Sequence, residues 1–377
     1  MKNLAFNIPP ITNIKIFDIK KAFKTNNFIG NSYFYNKCKN LIKKKIKTNH
    51  VFLTNSCTSA IEASLLSLNL KTRDEVIIQS YTFVSIVDIL YKLGIKFKFC
   101  EVDDNFVLDL NDLKKKINKN TKVIILTHYN GNSIDFLKLK KIIKNKNITL
   151  IEDAAQVYGA KYKKFYLGSI GDFAAFSFHQ TKNIHCGSGG ALILNNKKYY
   201  KSLVKVLDRG TNKSDFLKKK ASKYTWVSKG VSSSLTEMQS VFLYTQLKNE
   251  KKILNQRKKI YFLYKKYLKP NKKHYNLCNI NKYNQSNFHM FYLKLNKLST
   301  REHLKKYLKK HKIEATTHYE PLHLSTIIKK NTKEKKEKLP NTEKNANSIL
   351  RLPLHLNLNE KEIKYISYKI NSFFARI

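Results

Sequence analysis

From about residue 50 the chain alternates short apolar runs with longer stretches of helical spacing. The runs VFLTN (51–55), EVIIQS (75–80), FKFCEV (97–102), KVIILTHY (122–129), ITLIEDAA (148–155), FAAFSF (173–178) and GALILNN (190–196) each predict a strand. Several are apolar at every position, the pattern of strands covered on both faces. Between most of them lie segments such as SAIEASLLSLNL and LKLKKIIKNKN, whose spacing predicts helices. Such βαβ repetition implies an α/β fold with a mainly parallel, twisted sheet under helices on both sides. After Leu243 the texture changes to long basic helical stretches, then FHMFYLKL, REHLKKYLKKHKIEA and a final helix near 359–375. We read a large domain over 1–249 and a smaller C-terminal α+β domain over 250–377, with the N-terminal arm able to join the latter. Residues 325–345, polar and lysine-rich, read as a surface loop.

Composition narrows the partners. The formal charge is +47, with 73 basic residues among 377, a balance that ordinarily points to nucleic acid or an anionic membrane. Yet only six of the basic residues are arginines, whereas Lys, Asn, Ile, Tyr and Phe are abundant, the skew that an AT-rich genome imposes. Nucleic-acid readers favour arginine for its bidentate fork, so the lysines are expected on solvated faces and no nucleic-acid partner is expected. No apolar run approaches the ~18 residues of a membrane span, and the start MKNLAFNIPPITN lacks the features of a secretory signal. Five scattered cysteines without a CxxC pair suggest neither a zinc site nor a disulfide framework. A soluble protein of the reducing cytoplasm, without metal, is the expectation.

Ligand sites in such sheets lie at the carboxyl ends of the strands. The first predicted strand runs into Ser56, Cys57, Thr58 and Ser59, which open a helix. Hydroxyls and free N–H groups there suit a phosphate, although Ser and Thr are also ordinary helix caps. The strand at 148–155 carries Asp153 in apolar surroundings, where it either caps the next helix or meets a cationic partner such as a protonated pyridine. Lys182 follows the strand at 173–178, 29 residues after Asp153 and just before Gly187-Ser188-Gly189-Gly190. In a lysine-rich chain it reads either as one more solvated ammonium or as a reactive amine whose pKa burial lowers. Phosphate cradle, carboxylate and lysine in this order are what pyridoxal 5′-phosphate requires.

The segments DEVIIQSYTFVS, IEDAAQVYGAKY, LGSIGDFAAFSFHQTKN and LTEMQSVFLYTQL resemble the DegT/DnrJ/EryC1/StrS sugar aminotransferases, over nearly the whole chain from FNIPP (6–10) to RLPLHLNL (351–358). The resemblance implies the type I aminotransferase fold and a central sheet of seven strands. It implies Lys182 as the Schiff-base lysine and proton shuttle, Asp153 on the pyridinium, and Gln156 at the ring hydroxyl. It further implies Thr58, Ser59 and Ser177 on the phosphate with Cys57 beside them, Phe83 stacked on the ring, and Ser232 reaching the phosphate of a second subunit in a homodimer. His179 is implied as a positioning residue. Tyr319 and His323 fall at substrate-side positions or serve plain packing. TNSCTSAIEASLL, LTHYNGNSID, RGTNKSDF and KYTWVSKGVSSSLTEMQ resemble the subgroup acting on a dTDP sugar. That implies L-glutamate as donor and the 4-keto group of dTDP-4-dehydro-6-deoxy-D-glucose as acceptor, giving dTDP-4-amino-4,6-dideoxy-D-galactose for a cell-surface polysaccharide of the enterobacterial common antigen type. A 3-keto or UDP-sugar aminotransferase is the alternative, and a non-catalytic basic nucleic-acid-binding protein a remote one. Two positions depart from the family: Ser188 replaces the Glu of its GEGG, and Leu207 stands where relatives carry a basic residue.

Overall fold

Seven strands, β1 (His50–Thr54), β2 (Glu75–Gln79), β3 (Lys96–Cys100), β4 (Thr121–Thr127), β5 (Thr149–Asp153), β6 (Phe173–Ser177) and β7 (Gly190–Leu194), build one sheet in the computed structural model. The structure describes residues 3–268, 270–331 and 337–376. Each strand coincides with one of the apolar runs, and their order across the sheet is β1, β7, β6, β5, β4, β2, β3. Neighbours from β6 to β3 pair in parallel, while β7 is antiparallel to both β6 and β1.

Side-chain alternation sends successive residues to opposite faces, and both faces are buried here. Val76, Ile78, Val123, Ile125 and Leu192 pack with the helices Cys57–Leu66 and Ser85–Lys92. Ile77, Ile124, Leu126 and Ile193 enter the core on the other side, with the helix Tyr33–Ile46. With apolar residues on both faces, hydrophobicity alone does not fix strand register. Polar residues at the strand ends do, as where Gln79 donates from Nε2 to the carbonyls of Tyr81 at 2.9 Å and Phe106 at 3.1 Å.

The C-terminal third builds a second, antiparallel sheet from β8 (Tyr275–Leu277), β9 (Phe291–Leu295) and β10 (Ile349–Leu352). The long helices Glu250–Tyr267, Leu298–Lys310 and Glu360–Phe374 accompany it. The N-terminal arm joins this region. Leu4 pairs with Ile313, and the Phe6 N–H donates to Glu314 at 2.9 Å. The expectation of a loop over 325–345 is corrected in part, because helices occupy Thr326–Asn331 and Pro340–Ser348. Pro340 starts the second, its missing N–H being one that a first helical turn leaves unbonded anyway. Residues 332–336 of that stretch lie outside the described residues. Among the described residues no helix is long and apolar enough to cross a membrane.

Candidate active site

The carboxyl ends of β1, β4, β5 and β6 meet along one edge of the sheet, above a cavity of about 420 Å³. On β1 the chain leaves Thr54 and enters the Cys57–Leu66 helix, capped by Ser56, whose Oγ accepts the Ser59 N–H at 3.0 Å. The N–H groups of Cys57 and Thr58 precede the first intrahelical bond and present the positive end of the helix. Ser56, Cys57 and Thr58 line the cavity. Ser59 does not. Its hydroxyl is engaged within the turn, by Asn55 Oδ1 at 2.7 Å and Ser56 Oγ at 2.9 Å.

Gly190, the first residue of β7, is paired with both Thr54 and Ser177. A Cβ there would lie 2.4 Å from the Ser56 carbonyl carbon and 2.6 Å from the Cys57 nitrogen. Only glycine lets this strand approach the helix start so closely.

Asp153 ends β5 and is buried. Its carboxylate accepts the Ala155 N–H at 3.1 Å and the Thr127 hydroxyl at 3.3 Å, with Cys57 Sγ at 3.8 Å. Burial pushes its pKa up, against those hydrogen bonds and the charge of Lys182. Lys182 lines the same cavity, half-buried, in the turn after β6 where its N–H donates to the His179 carbonyl at 2.9 Å. Burial lowers its pKa, the Asp153 and Cys57 charges oppose this, and Arg351 adds to it. The next residue anchors the turn: Asn183 donates to the Asn287 carbonyl at 2.8 Å and meets His289 Nδ1 at 2.9 Å.

The remaining candidates divide. Gln156, Phe83, Ser177, His179 and Tyr319 line the cavity with Lys182 and Asp153. Gln156 accepts the Asn130 N–H at 3.1 Å and donates to the Tyr319 hydroxyl at 3.1 Å. Phe83 is 55% exposed, its ring 6.3 Å from that of Tyr319 and free to cover a planar ligand. His179 Nδ1 lies 3.0 Å from the Thr181 hydroxyl, and burial followed by the Lys182 charge lowers its pKa. His323 lies outside the lining. Buried, it bonds through Nδ1 to the Ser80 hydroxyl at 2.7 Å and through Nε2 to Glu343 at 3.2 Å, tying the Pro340–Ser348 helix to the end of β2. Ser232 also lies outside the lining of its own chain, exposed, where it accepts from Arg209 Nε at 3.3 Å. Sequence reasoning passed over His318, His289 and Arg351, which line the cavity from the C-terminal part of the chain.

These groups suit pyridoxal 5′-phosphate on structural grounds. A buried carboxylate faces the cavity, a lysine of lowered pKa shares it, and a helix N-terminus opens onto it. Fold and site together define a pyridoxal-phosphate-dependent aminotransferase. The chain belongs to the DegT/DnrJ/EryC1/StrS aminotransferase family, whose model matches residues 13–371.

The chain is 26% identical over 323 residues to the GDP-perosamine synthase of Escherichia coli O157:H7, covering 84% of each protein. It is 26% identical over 337 residues to the UDP-4-amino-4,6-dideoxy-N-acetyl-beta-L-altrosamine transaminase of Campylobacter jejuni subsp. jejuni serotype O:23/36 (strain 81-176), covering 88% of this chain and 87% of that one. Among solved structures, Helicobacter pylori PseC, an aminotransferase involved in the biosynthesis of pseudoaminic acid, superposes with a TM-score of 0.90 at 21% identity over the whole of both chains. The PMP-form of the Streptococcus pneumoniae sugar aminotransferase Spr1654 gives 0.90 at 23% identity, over 99% of this chain and all of that one. The GDP and UDP sugars in the relatives' names broaden the dTDP expectation to nucleotide sugars as a class.

Proposed function

We propose that the protein moves an amino group from L-glutamate to a keto carbon of a nucleotide-linked sugar. The observation that carries this reading is the pairing of Lys182 with buried Asp153 in one cavity at the sheet edge. Pyridoxal phosphate, when bound, supplies an aldehyde that condenses with amines and a ring that withdraws electrons from the neighbouring carbon.

The chain's own residues do the rest. Thr58, Cys57, the N-terminus of their helix and Ser177, which line the cavity, would hold the phosphate. Asp153 would accept from the protonated ring nitrogen, and Gln156 would meet the ring hydroxyl. Phe83 would cover one face of the ring and help to keep water from it. Burial lowers the pKa of Lys182, the direction that favours Nζ as a base. Nζ takes the proton from the α-carbon of the donor, and in the second half-reaction delivers one to the sugar carbon that receives nitrogen. The face from which it does so sets the configuration of the product. His179 and Tyr319 position the substrates, and Ser232 serves the phosphate of a second subunit in a homodimer. A division into a large domain over 1–249 and a small one over 250–377 fits this reading, and the helices Glu237–Lys248 and Glu250–Tyr267 flank that boundary.

The finer assignment takes dTDP-4-dehydro-6-deoxy-D-glucose as acceptor and dTDP-4-amino-4,6-dideoxy-D-galactose as product, for a cell-surface polysaccharide. The segments 54–66, 126–135, 209–216 and 223–239 support it. A UDP-linked acceptor is the second reading, favoured by the name of the Campylobacter relative. Holoenzyme incubated with ¹⁵N-glutamate and, separately, dTDP-, UDP- and GDP-linked 4-keto sugars tests the assignment by mass spectrometry. Labelled amino sugar from the dTDP substrate alone is the expected result. Label in the UDP sugar alone overturns the nucleotide assignment, and label in none overturns the 4-keto assignment.

A further inference from the structure

Arg351 sits in β10 with its backbone fixed on both sides. Its N–H donates to the Thr316 carbonyl at 2.7 Å, its carbonyl accepts from the Thr316 N–H at 3.1 Å, and it pairs with Tyr292. The side chain is buried, lines the same cavity as Lys182 and Asp153, and leaves Nε without a hydrogen-bond partner. No carboxylate of the described residues forms an ion pair with it.

Aromatic and imidazole groups lie against it. The Phe6 ring lies 4.8 Å from the guanidinium carbon, and His318 Nδ1 lies 2.6 Å from Nη1. Burial, then the Arg351 charge, pulls His318 down to about 3, and burial pushes the hydroxyls of Tyr81, Tyr129 and Tyr319 up. A buried cation without a counter-ion is a costly arrangement. Here it persists with a planar fork of donors facing a substrate cavity.

We propose that Arg351 is the receptor for the α-carboxylate of the amino donor. The inference rests on the aminotransferase reading of the site. A guanidinium matches a carboxylate with two parallel hydrogen bonds. The competing anion is the diphosphate of the nucleotide sugar, and position decides between them. Arg351 and Lys182 line one cavity. Arg351 is also linked to the cofactor floor through His318, Tyr319 and Gln156. An α-carboxylate is bonded directly to the carbon that Lys182 serves, whereas a diphosphate lies a sugar ring away from a reacting C4.

Stopped-flow absorbance of the holoenzyme tests this, comparing wild type with Arg351→Met and Arg351→Lys. For L-glutamate the second-order rate constant falls about 10- to 100-fold in the Met variant, as expected for loss of hydrogen bonds to a charged partner, and less in the Lys variant. Inhibition of the same half-reaction by dTDP and by UDP stays within about twofold if the fork serves the donor alone. Glutamate kinetics that are unchanged in Arg351→Met overturn the proposal. So does weaker dTDP or UDP inhibition with glutamate untouched, which assigns the fork to the diphosphate. Should the Met variant fail to hold cofactor, wild type decides. L-isoglutamine, amidated at the α-carboxylate, reacts at least about tenfold more slowly than L-glutamine, amidated at the side chain. An equal or reversed ratio overturns the proposal. A wild-type holoenzyme indifferent to glutamate refutes the proposed glutamate half-reaction itself, an outcome distinct from a normal wild type matched by its variants.

Discussion

Glu152 precedes Asp153 on β5 and points to the opposite face, wholly buried. Its Oε1 accepts the N–H groups of Ile170 and Gly171, each at 2.7 Å. Its Oε2 accepts the Gly168 N–H at 2.8 Å and meets His128 Nε2 at 2.9 Å. The substitution Glu152→Gln keeps the shape but offers one acceptor and one amide group. In its better orientation the oxygen serves Ile170 and Gly171, the amide donates to a His128 of the other tautomer, and the Gly168 N–H faces a second donor. One charge-assisted bond is then lost and the others weaken, a cost of about 3–5 kcal/mol. With an unfolding entropy of ~2.1 cal/mol/K per residue over 377 residues, that cost lowers Tm by about 4–6 °C. Differential scanning calorimetry across pH measures it. The hydrogen bonds from His128 and the backbone hold the folded pKa of Glu152 below its ordinary 4.5, against burial. A depressed folded pKa stabilises above the unfolded value, and the contribution disappears as pH falls through the folded one. The gap between wild type and variant is therefore full above about 4.5 and closes toward lower pH. A variant within 1 °C of wild type near neutral pH, or a gap that persists at the acid end, refutes this reasoning.

Three further outcomes follow from the site. Gly190→Ala brings a Cβ within 2.6 Å of the Ser56 and Cys57 backbone, so equilibrium dialysis should show cofactor affinity at least about tenfold weaker, with a lower Tm. Asp153→Asn keeps an acceptor for the Ala155 N–H and folds, but its glutamate half-reaction is at least about 100-fold slower, read by stopped-flow absorbance. Ser56→Ala removes the acceptor of the Ser59 N–H and costs about 1 kcal/mol of stability, read by chemical denaturation, with cofactor affinity falling in parallel.

The sheet was legible because its strands are apolar on both faces and punctuated by polar ends. Every run read as a strand is one. Asp153, Lys182, Cys57 and Thr58 were legible because strand ends in a parallel sheet converge on one edge. Residues supplied from far along the chain were not. Arg351 enters through β10 and His318 through the segment after the helix Leu298–Lys310, and no local spacing links 351 to 182. A compositional signal for Arg351 did exist. In a chain so rich in lysine, an arginine marks a place where a planar fork is needed, and of the six, Arg257 and Arg351 are buried. Arg257 donates to the carbonyls of Phe288 and His289. The resemblance left His323 either substrate-side or in plain packing, and the short 3₁₀ turn Leu322–Leu324 directs it to Ser80 and Glu343. Ser59 looked equivalent to Thr58 until its hydroxyl proved to be engaged by Asn55.

The central claim is that Lys182 carries the chemistry, and an absorption spectrum tests it most directly. Purified protein mixed with pyridoxal phosphate should show a visible band from the lysine-bound cofactor. The band should give way to the pyridoxamine form on addition of glutamate and be absent in Lys182→Ala. A wild-type protein without the band, or a Lys182→Ala variant that retains it, would contradict the account.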